Sequence, residues 1–519
     1  MHVNQRFIYR FARLNKEYWS MHSEQNASSV STGGICCMHG SWCEFGDYIA
    51  LQGIIAKKIQ SDEKLPILSV TIGNDYTVSE IDRSFGALTY NLKNIWISEY
   101  HKIMIRIYAF VIILFCTGKG LLRTRYRHVK LGDLFFDCIQ RNRKMTYGIY
   151  DMRRLKFDLD YDYLVYLLSI AERSYIYLRT NKPKYIISKE IQNVPGIFVM
   201  MGLIYGAKIV CNFSPGVYGN RIPVISKNKN IYRTYKHANV LFTLESEALK
   251  VFHGDMPDSE SLFIVSDETG HDASVMEIKN SLGIDNANKT VLILPHCLGD
   301  SPQIASNRHI YTDYYNWLID TLEIASGIHD VNWVLKDHPH SKAYNQPKFL
   351  EDIYKEYKKK NSNIYFAKGD ITGDTLKNIA DAVIVDIGDA GCEYVAYGIP
   401  AITTGKSYYS QFGVSINVRS RREYKNILRN IQSVESPSYE EISLAQKLIY
   451  IKKNSFSVEE NCNELVELSK KYRRKFLAQL RKNPTWAIDN SSYYSELDDL
   501  LENGTLYTGS EFKFVDVYN

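Results

Sequence analysis

Lys289-Thr290-Val291-Leu292-Ile293-Leu294-Pro295-His296-Cys297-Leu298-Gly299-Asp300-Ser301-Pro302 is the stretch on which the reading of this chain turns. Val291 to Leu294 reads as a short apolar strand, and a polar loop containing histidine and glycine follows it at once. Working outward, Tyr311 to Ser326 has helical spacing and Asn332 to Lys336 reads as the next strand. Ile364-Tyr365-Phe366, Ala382 to Val385 and Ala401-Ile402-Thr403 continue the series, with Glu393 to Tyr397 in a helix before the last of them. Strand and helix in alternation predict an α/β fold with a doubly wound parallel sheet. A second series lies upstream. Tyr161 to Tyr177 is helical, Asn181-Lys182-Pro183 breaks it, Tyr185 to Ile187 is a strand, Val194 to Tyr205 a helix and Lys208 to Val210 a strand. That spacing is a parallel βαβ unit.

A chain of 519 residues is too long for one compact core, so two domains are expected. The polar, acidic stretch Gly254 to Asp285 is the candidate linker. The expected units are residues 1–270, with the first hundred residues unassigned, residues 271–438, and a helical extension with a polar tail over 439–519. The tail beyond Asp489 is expected to be an adapter or a poorly ordered terminus.

With 45% hydrophobic and 23% charged residues, the composition excludes a disordered or fibrous chain. The 39 tyrosines suit sugar-stacking surfaces and equally suit cores and interfaces. A net charge of +5 gives no argument for nucleic acid, which is not expected as a partner. Lys119, Arg123, Arg125, Arg127 and Lys130 form an acid-free basic stretch over 119–130. It is either a solvated face or a surface for anionic headgroups or a phosphorylated substrate. Nine scattered cysteines favour a reducing, cytoplasmic location. Cys36, Cys37, His39 and Cys43 lack the paired spacing of zinc modules, so no metal site is expected. Met1 to Lys16 has no apolar signal-peptide core, and Ile107 to Cys116 is too short to span a bilayer. That run is expected to be a buried helix, with membrane-surface contact as the alternative.

Ligands of open α/β sheets bind beyond the carboxyl ends of the strands, so the residues after each strand carry the chemistry. His296 and Asp300 follow the first strand, Lys336 and His338 close the second, and Gly388-Asp389-Ala390-Gly391 with Glu393 follow the strand ending at Val385. Such groups suit a nucleotide-activated sugar, whose leaving nucleotide gains negative charge in the transition state. Histidine or lysine donors and a helix start stabilise that charge without a metal, glycines let backbone N–H groups approach it, and Glu393 can accept from ribose hydroxyls.

The residues then show a likeness. Pro295-His296 through Asp300-Ser301-Pro302, and Asp313-Tyr314-Tyr315-Asn316-Trp317-Leu318, resemble bacterial capsule and surface-carbohydrate biosynthesis proteins. Lys336-Asp337-His338-Pro339 resembles the His-Pro motif of capsule Kdo transferases and bacterial polysialyltransferases. Gly391-Cys392-Glu393-Tyr394 through Gly398-Ile399-Pro400 resembles their closing pattern, and Gly132-Asp133-Leu134-Phe135-Phe136-Asp137 resembles a stretch of the same proteins. Where relatives often carry Ser or Thr near the glycine turn, this chain has Asp389, with Asp386 close by.

The resemblance implies a GT-B fold, two Rossmann-like domains facing across a cleft, and a phosphate contact for His338. The implied reaction moves a sugar from a CMP-, UDP- or GDP-linked donor to a surface polysaccharide or lipid-linked glycan, with no other cofactor. An inverting transfer needs a base from the N-terminal domain, for which Glu190 is the first candidate and Asp133 and Asp137 are rivals. The alternatives are a glycerol- or ribitol-phosphate transferase of teichoic-acid type, a sugar-nucleotide epimerase and a non-catalytic GT-B scaffold. The inner face of the cytoplasmic membrane is an open location beside the cytoplasm.

Overall fold

The computed structural model describes residues 12–13, 16, 33–40, 52–53, 55–57, 59–60, 63–73, 76–116, 118–143, 155–211, 221–232, 274–284, 287–304, 310–344, 346–368, 371–454 and 513–516. In the first half the strands are β1 (Ile35–His39), β2 (Ile67–Thr71), β3 (Leu88–Asn91), β4 (Arg125–Tyr126), β5 (Val129–Lys130), β6 (Tyr185–Ser188), β7 (Lys208–Cys211) and β8 (Arg221–Ile225). In the second they are β9 (Lys289–Leu294), β10 (Val331–Lys336), β11 (Ile364–Ala367), β12 (Ala382–Val385), β13 (Ala401–Thr403) and β14 (Ile416–Asn417), with β15 (Lys513–Asp516) at the end. The helices that matter below are α1 (Tyr76–Ser84), α2 (Glu99–Phe115), α3 (Gly132–Asn142), α4 (Phe157–Asn181), α5 (Asn193–Ile204), α6 (Tyr314–Ser326), α7 (Gln346–Lys360), α8 (Ala390–Ala396) and α9 (Tyr439–Asn454).

The first sheet runs β15-β8-β7-β6-β1-β2-β3 and the second β11-β10-β9-β12-β13-β14. Every pairing in the second sheet is parallel, and in the first only β7 with β8 is antiparallel. Ranked by position in the chain, β3-β2-β1-β6-β7 is 3-2-1-4-5, and the second sheet is 3-2-1-4-5-6. Both are the Rossmann order. Two such sheets in one chain make the GT-B architecture. Their switch points, where the winding reverses, lie between β1 and β6 and between β9 and β12.

The strands form because the chain offers continuous apolar runs that helices cover on both faces. All six residues of β10 are buried, and so are all four of β12. One cluster of buried side chains includes Met38, Val70 and Ile186 of the first sheet and Val291, Ile293 and Leu335 of the second. The two halves therefore pack against each other.

Three features depart from expectation. The first hundred residues supply β1, β2 and β3, half of a Rossmann sheet. The tail, expected to be an adapter or poorly ordered, returns at Lys513–Asp516 to pair parallel with β8. The apolar run at Ile107 is not simply buried: it belongs to α2, which buries Ile105, Ala109, Ile112 and Ile113 and exposes the opposite side. Most of the linker 254–285 lies outside the described residues, as does Cys43.

Candidate active site between the two sheets

The loop after β9 crosses to the first half of the molecule. Asp137 of α3 is fully buried, and its two carboxylate oxygens accept from the backbone N–H groups of Gln303 (2.9 Å) and Ile304 (3.0 Å). Ser301 Oγ donates to Asn193 Oδ1 at the start of α5 (3.3 Å). Both Ser301 and Asn193 hold positive φ, 53° and 55°, so the contact is made between two constrained turns. Asp137 thus clamps the loop after β9 to α3, each of its oxygens taking one amide. Asp133, one turn earlier, lies 3.2 Å from Lys130 Nζ at the start of the same helix.

At the mouth of the second sheet, the β9 and β10 loops are cross-braced by Gln346, a fully buried side chain at the start of α7. Its Oε1 accepts from Leu298 N (2.7 Å), and its Nε2 lies 2.8 Å from Asp337 Oδ1 and 3.3 Å from His296 O. Asp337 Oδ1 also accepts from His338 N (2.8 Å), and burial raises its carboxyl above the ordinary range. Asp313 caps α6 by accepting from Asn316 N (2.8 Å), which places Tyr314 beneath His296 with ring centroids 4.7 Å apart.

His296 and His338 are neighbours, with ring centroids 5.4 Å apart. Burial, then the charges of His296 and His340, push His338 down to about 3 from its ordinary value of 6.5. It is neutral at physiological pH. Because His340 N–H donates to its Nδ1 (3.1 Å), the ring proton sits on Nε2, which no described residue accepts. His296 Nδ1 lies 3.2 Å from Cys297 O, so that nitrogen carries a proton and Nε2 is left to face a ligand. The pair presents one donor and one ambivalent nitrogen on adjacent loops.

Other expected groups sit differently. Lys336 is buried and turns toward Lys368 O (3.5 Å), beyond β11. Gly388 (φ 147°) donates its N–H to Ser407 Oγ (3.3 Å), so that amide does not cradle a phosphate. Gly391 serves packing: a Cβ there would meet Tyr409 Oη at 2.1 Å, and that hydroxyl donates to Gly388 O (2.7 Å). Ala390 opens α8 and Asp389 is its N-cap residue, without a side-chain capping bond. Glu393 is buried in the first turn, only 6% exposed. Asp386 does not confront an anion either. It is wholly buried, accepts from Thr404 Oγ1 (2.5 Å), and is pushed up to about 7, chiefly by burial.

Across the interface, Glu190 follows β6, and at the first switch point a Cβ on Gly40 would fall 3.0 Å from its Oε2. That oxygen is buried and has no hydrogen-bond partner among the described residues. Burial raises the Glu190 carboxyl above its ordinary 4.5; Arg141 and Lys189 pull it down, and Asp300 raises it again. Asp300, on the β9 loop, is therefore within electrostatic reach of Glu190.

Sequence reasoning did not single out Gln346, which shows only as a residue before proline. It also missed a second buried polar cluster: His39 Nε2 lies 2.9 Å from Asp82 Oδ2, which accepts from Ser69 Oγ (2.5 Å). Cys36 and Cys37 point into different apolar clusters, so they do not converge with His39. Among the described residues, no three His, Cys, Asp or Glu side chains gather as a metal-ligand set.

No protein-family model matches the chain, and no curated protein does. Among solved structures, a glycosyltransferase from Rickettsia africae ESF-5 is similar over 85% of this chain and 99% of its own, at 11% identity and TM-score 0.28. An α,α-trehalose-phosphate synthase (UDP-forming) from Burkholderia vietnamiensis is similar over 87% and 98%, at 9% identity and TM-score 0.34. A β-Kdo 2,4 transferase from Thermosulfurimonas dismutans is similar over 31% of this chain and 52% of its own, at 14% identity and TM-score 0.19. The fold rests on the two strand orders and not on these overlaps.

Proposed function

We propose that the chain is a nucleotide-sugar-dependent glycosyltransferase acting on a hydroxyl of a growing surface polysaccharide or lipid-linked glycan. The observation that carries this reading is the pairing across one interface of two neighbouring histidines, His338 of them neutral, with a carboxylate whose buried Oε2 has no hydrogen-bond partner among the described residues. Two Rossmann sheets, each with its switch point opening on that interface, suit a donor on one side and an acceptor on the other.

In the reaction, the acceptor oxygen attacks the anomeric carbon as the bond from that carbon to the donor phosphate oxygen breaks. The electron pair leaves with the nucleotide, and the acceptor proton passes to Glu190. His338 Nε2–H donates to a phosphate oxygen, and the charge that develops there strengthens the bond as the transition state forms. A proton on His296 Nε2 would add a second donor to the same phosphate. A carboxyl raised by burial is a stronger base than an exposed one. Glu393 and the α8 turn would hold the ribose side of a CMP-, UDP- or GDP-linked donor.

A thermal-shift panel of CMP, CDP, UDP and GDP on the full chain tests the reading. A nucleotide at about 100 times its Kd stabilises the folded state by about 2.7 kcal/mol, a readable rise in the midpoint. His338→Ala should weaken that nucleotide by roughly 10- to 100-fold, the range for one hydrogen bond to a charged group. No response to any nucleotide would overturn the proposal in favour of a non-catalytic scaffold. A phosphodiester in the product would favour a glycerol- or ribitol-phosphate transferase.

A further inference from the structure

Helix α2 is apolar on two sides, and only one is used by the fold. Ser98 caps its start, and 17 residues give a length of about 25 Å. Ile105, Ala109, Ile112 and Ile113 are buried in the first-half core. On the opposite side Ile103, Ile107, Phe110 and Leu114 repeat at helical spacing, and all are exposed. Phe115 at one end is 78% exposed, and Trp96, just before the helix, is 72% exposed. Phe157 of α4 widens the patch, its ring 6.1 Å from that of Phe110. A contiguous apolar patch of this kind marks an interaction surface.

The charges beside it favour one occupant. From Lys93 to Lys130 there are eight Lys and Arg residues and a single acid, Glu99. Glu99 is paired with Lys102 at 2.6 Å. The β4–β5 hairpin is fixed against α2 by Tyr108 Oη donating to Arg125 O (2.7 Å). It is fixed against α4 by buried Glu172, which takes Arg127 (2.6 Å) and Tyr126 (3.0 Å). With Arg127 committed, Arg123 and Arg125 stay exposed in the segment that Tyr108 joins to α2. The exposed acids Asp158 and Asp162 belong to α4 and not to α2 or the hairpin. Among the described residues no helix is long and apolar enough to cross a membrane.

We propose that α2 and the β4–β5 hairpin dock this chain on an anionic bilayer surface. The helix lies in the interface plane with its Ile107–Leu114 side among the acyl chains, and Arg123 and Arg125 meet the headgroups. Trp96 sits at headgroup depth, where an amphipathic ring is favoured. This surface is independent of the transferase reading, which concerns the interface between the sheets.

Vesicle co-sedimentation of the full chain tests it, using phosphatidylcholine vesicles with and without phosphatidylglycerol. The wild type should pellet with the anionic vesicles and be largely released by high salt. Ile107→Glu with Leu114→Glu should reduce binding more than tenfold while leaving any nucleotide-induced thermal shift unchanged. Removing Arg123 or Arg125 should weaken it by about fivefold each, the worth of one basic residue near such a surface. Absence of wild-type binding to anionic vesicles, or equal binding by wild type and the double glutamate variant, would overturn the proposal. So would a wild-type dimer that Ile107→Glu dissolves in the absence of any lipid binding.

Discussion

At the mouth of the second sheet the polar groups are braced. Gln346 ties two loops together, Asp337 holds the His338 amide, and Tyr314 lies under His296. At the mouth of the first sheet, Glu190 has a buried oxygen with no partner among the described residues. The two sheets share a strand order, yet one ends in loops braced to each other and the other in an acid that burial raises and Arg141 and Lys189 only partly offset. Bracing fixes where an anion can sit. A carboxylate raised by burial costs stability, and such groups cluster at sites that move protons.

The sharpest way to break this contrast is Glu190→Gln. If the carboxylate takes the acceptor proton, kcat should fall by about 10²- to 10⁴-fold while nucleotide binding persists. In the wild type, the acid limb of kcat/KM should lie above the ordinary carboxylate range, because burial raises this group, and the variant should lack that limb. A Glu190→Gln enzyme with near-normal kcat would show that both mouths only bind.

Asp137 is the next test, because it joins the two regions. Asp137→Ala strips two buried amides of their acceptor and should destabilise the chain by about 3 kcal/mol in denaturant unfolding. Asp137→Asn keeps one good acceptor and should recover part of that loss. If Asp137 were the base, both variants would lose activity at unchanged stability.

The contrast also marks where sequence reasoning succeeds. In the second half, Ala382 to Val385 and Ala401 to Thr403 are strands at the residues their apolar runs predict, because nothing polar interrupts them. In the first half, β1 and β2 carry His39, Ser69 and Thr71 as buried residues. A strand with such residues looks like a loop until Asp82 arrives from α1 to accept from Ser69 and lie against His39. The helix at Ile107 was legible as apolar, but an apolar run does not say which side meets solvent. His296, His338 and Glu190 were visible as strand-end residues. Asp137 reads in sequence as a possible base because the stretch around it carries no sign of the Gln303 and Ile304 amides more than 160 positions away. Gly388 and Gly391 suggested an anion cradle, whereas Ser407 and Tyr409, on the next strand's loop, claim the space and the N–H.

The smallest expected effect concerns Asp386, the second-half acid that looks, in sequence, like an obstacle to a phosphate. Its folded-state carboxyl titrates at about 7 against an ordinary value of 3.8, chiefly because it is buried. Between those values the folded chain keeps a proton that the unfolded chain has released. The contribution to stability is therefore present below about pH 4 and is lost as pH rises through about 7. Asp386→Asn keeps an oxygen for Thr404 and removes the titration. Urea midpoints of wild type and variant should diverge over this range, with a slope difference of at most one proton, about 1.4 kcal/mol per pH unit. If the two profiles run parallel, Asp386 is ionised in the folded chain. It would then stand as fixed negative charge beside the donor site, and the braced mouth could not be the side that receives the anion.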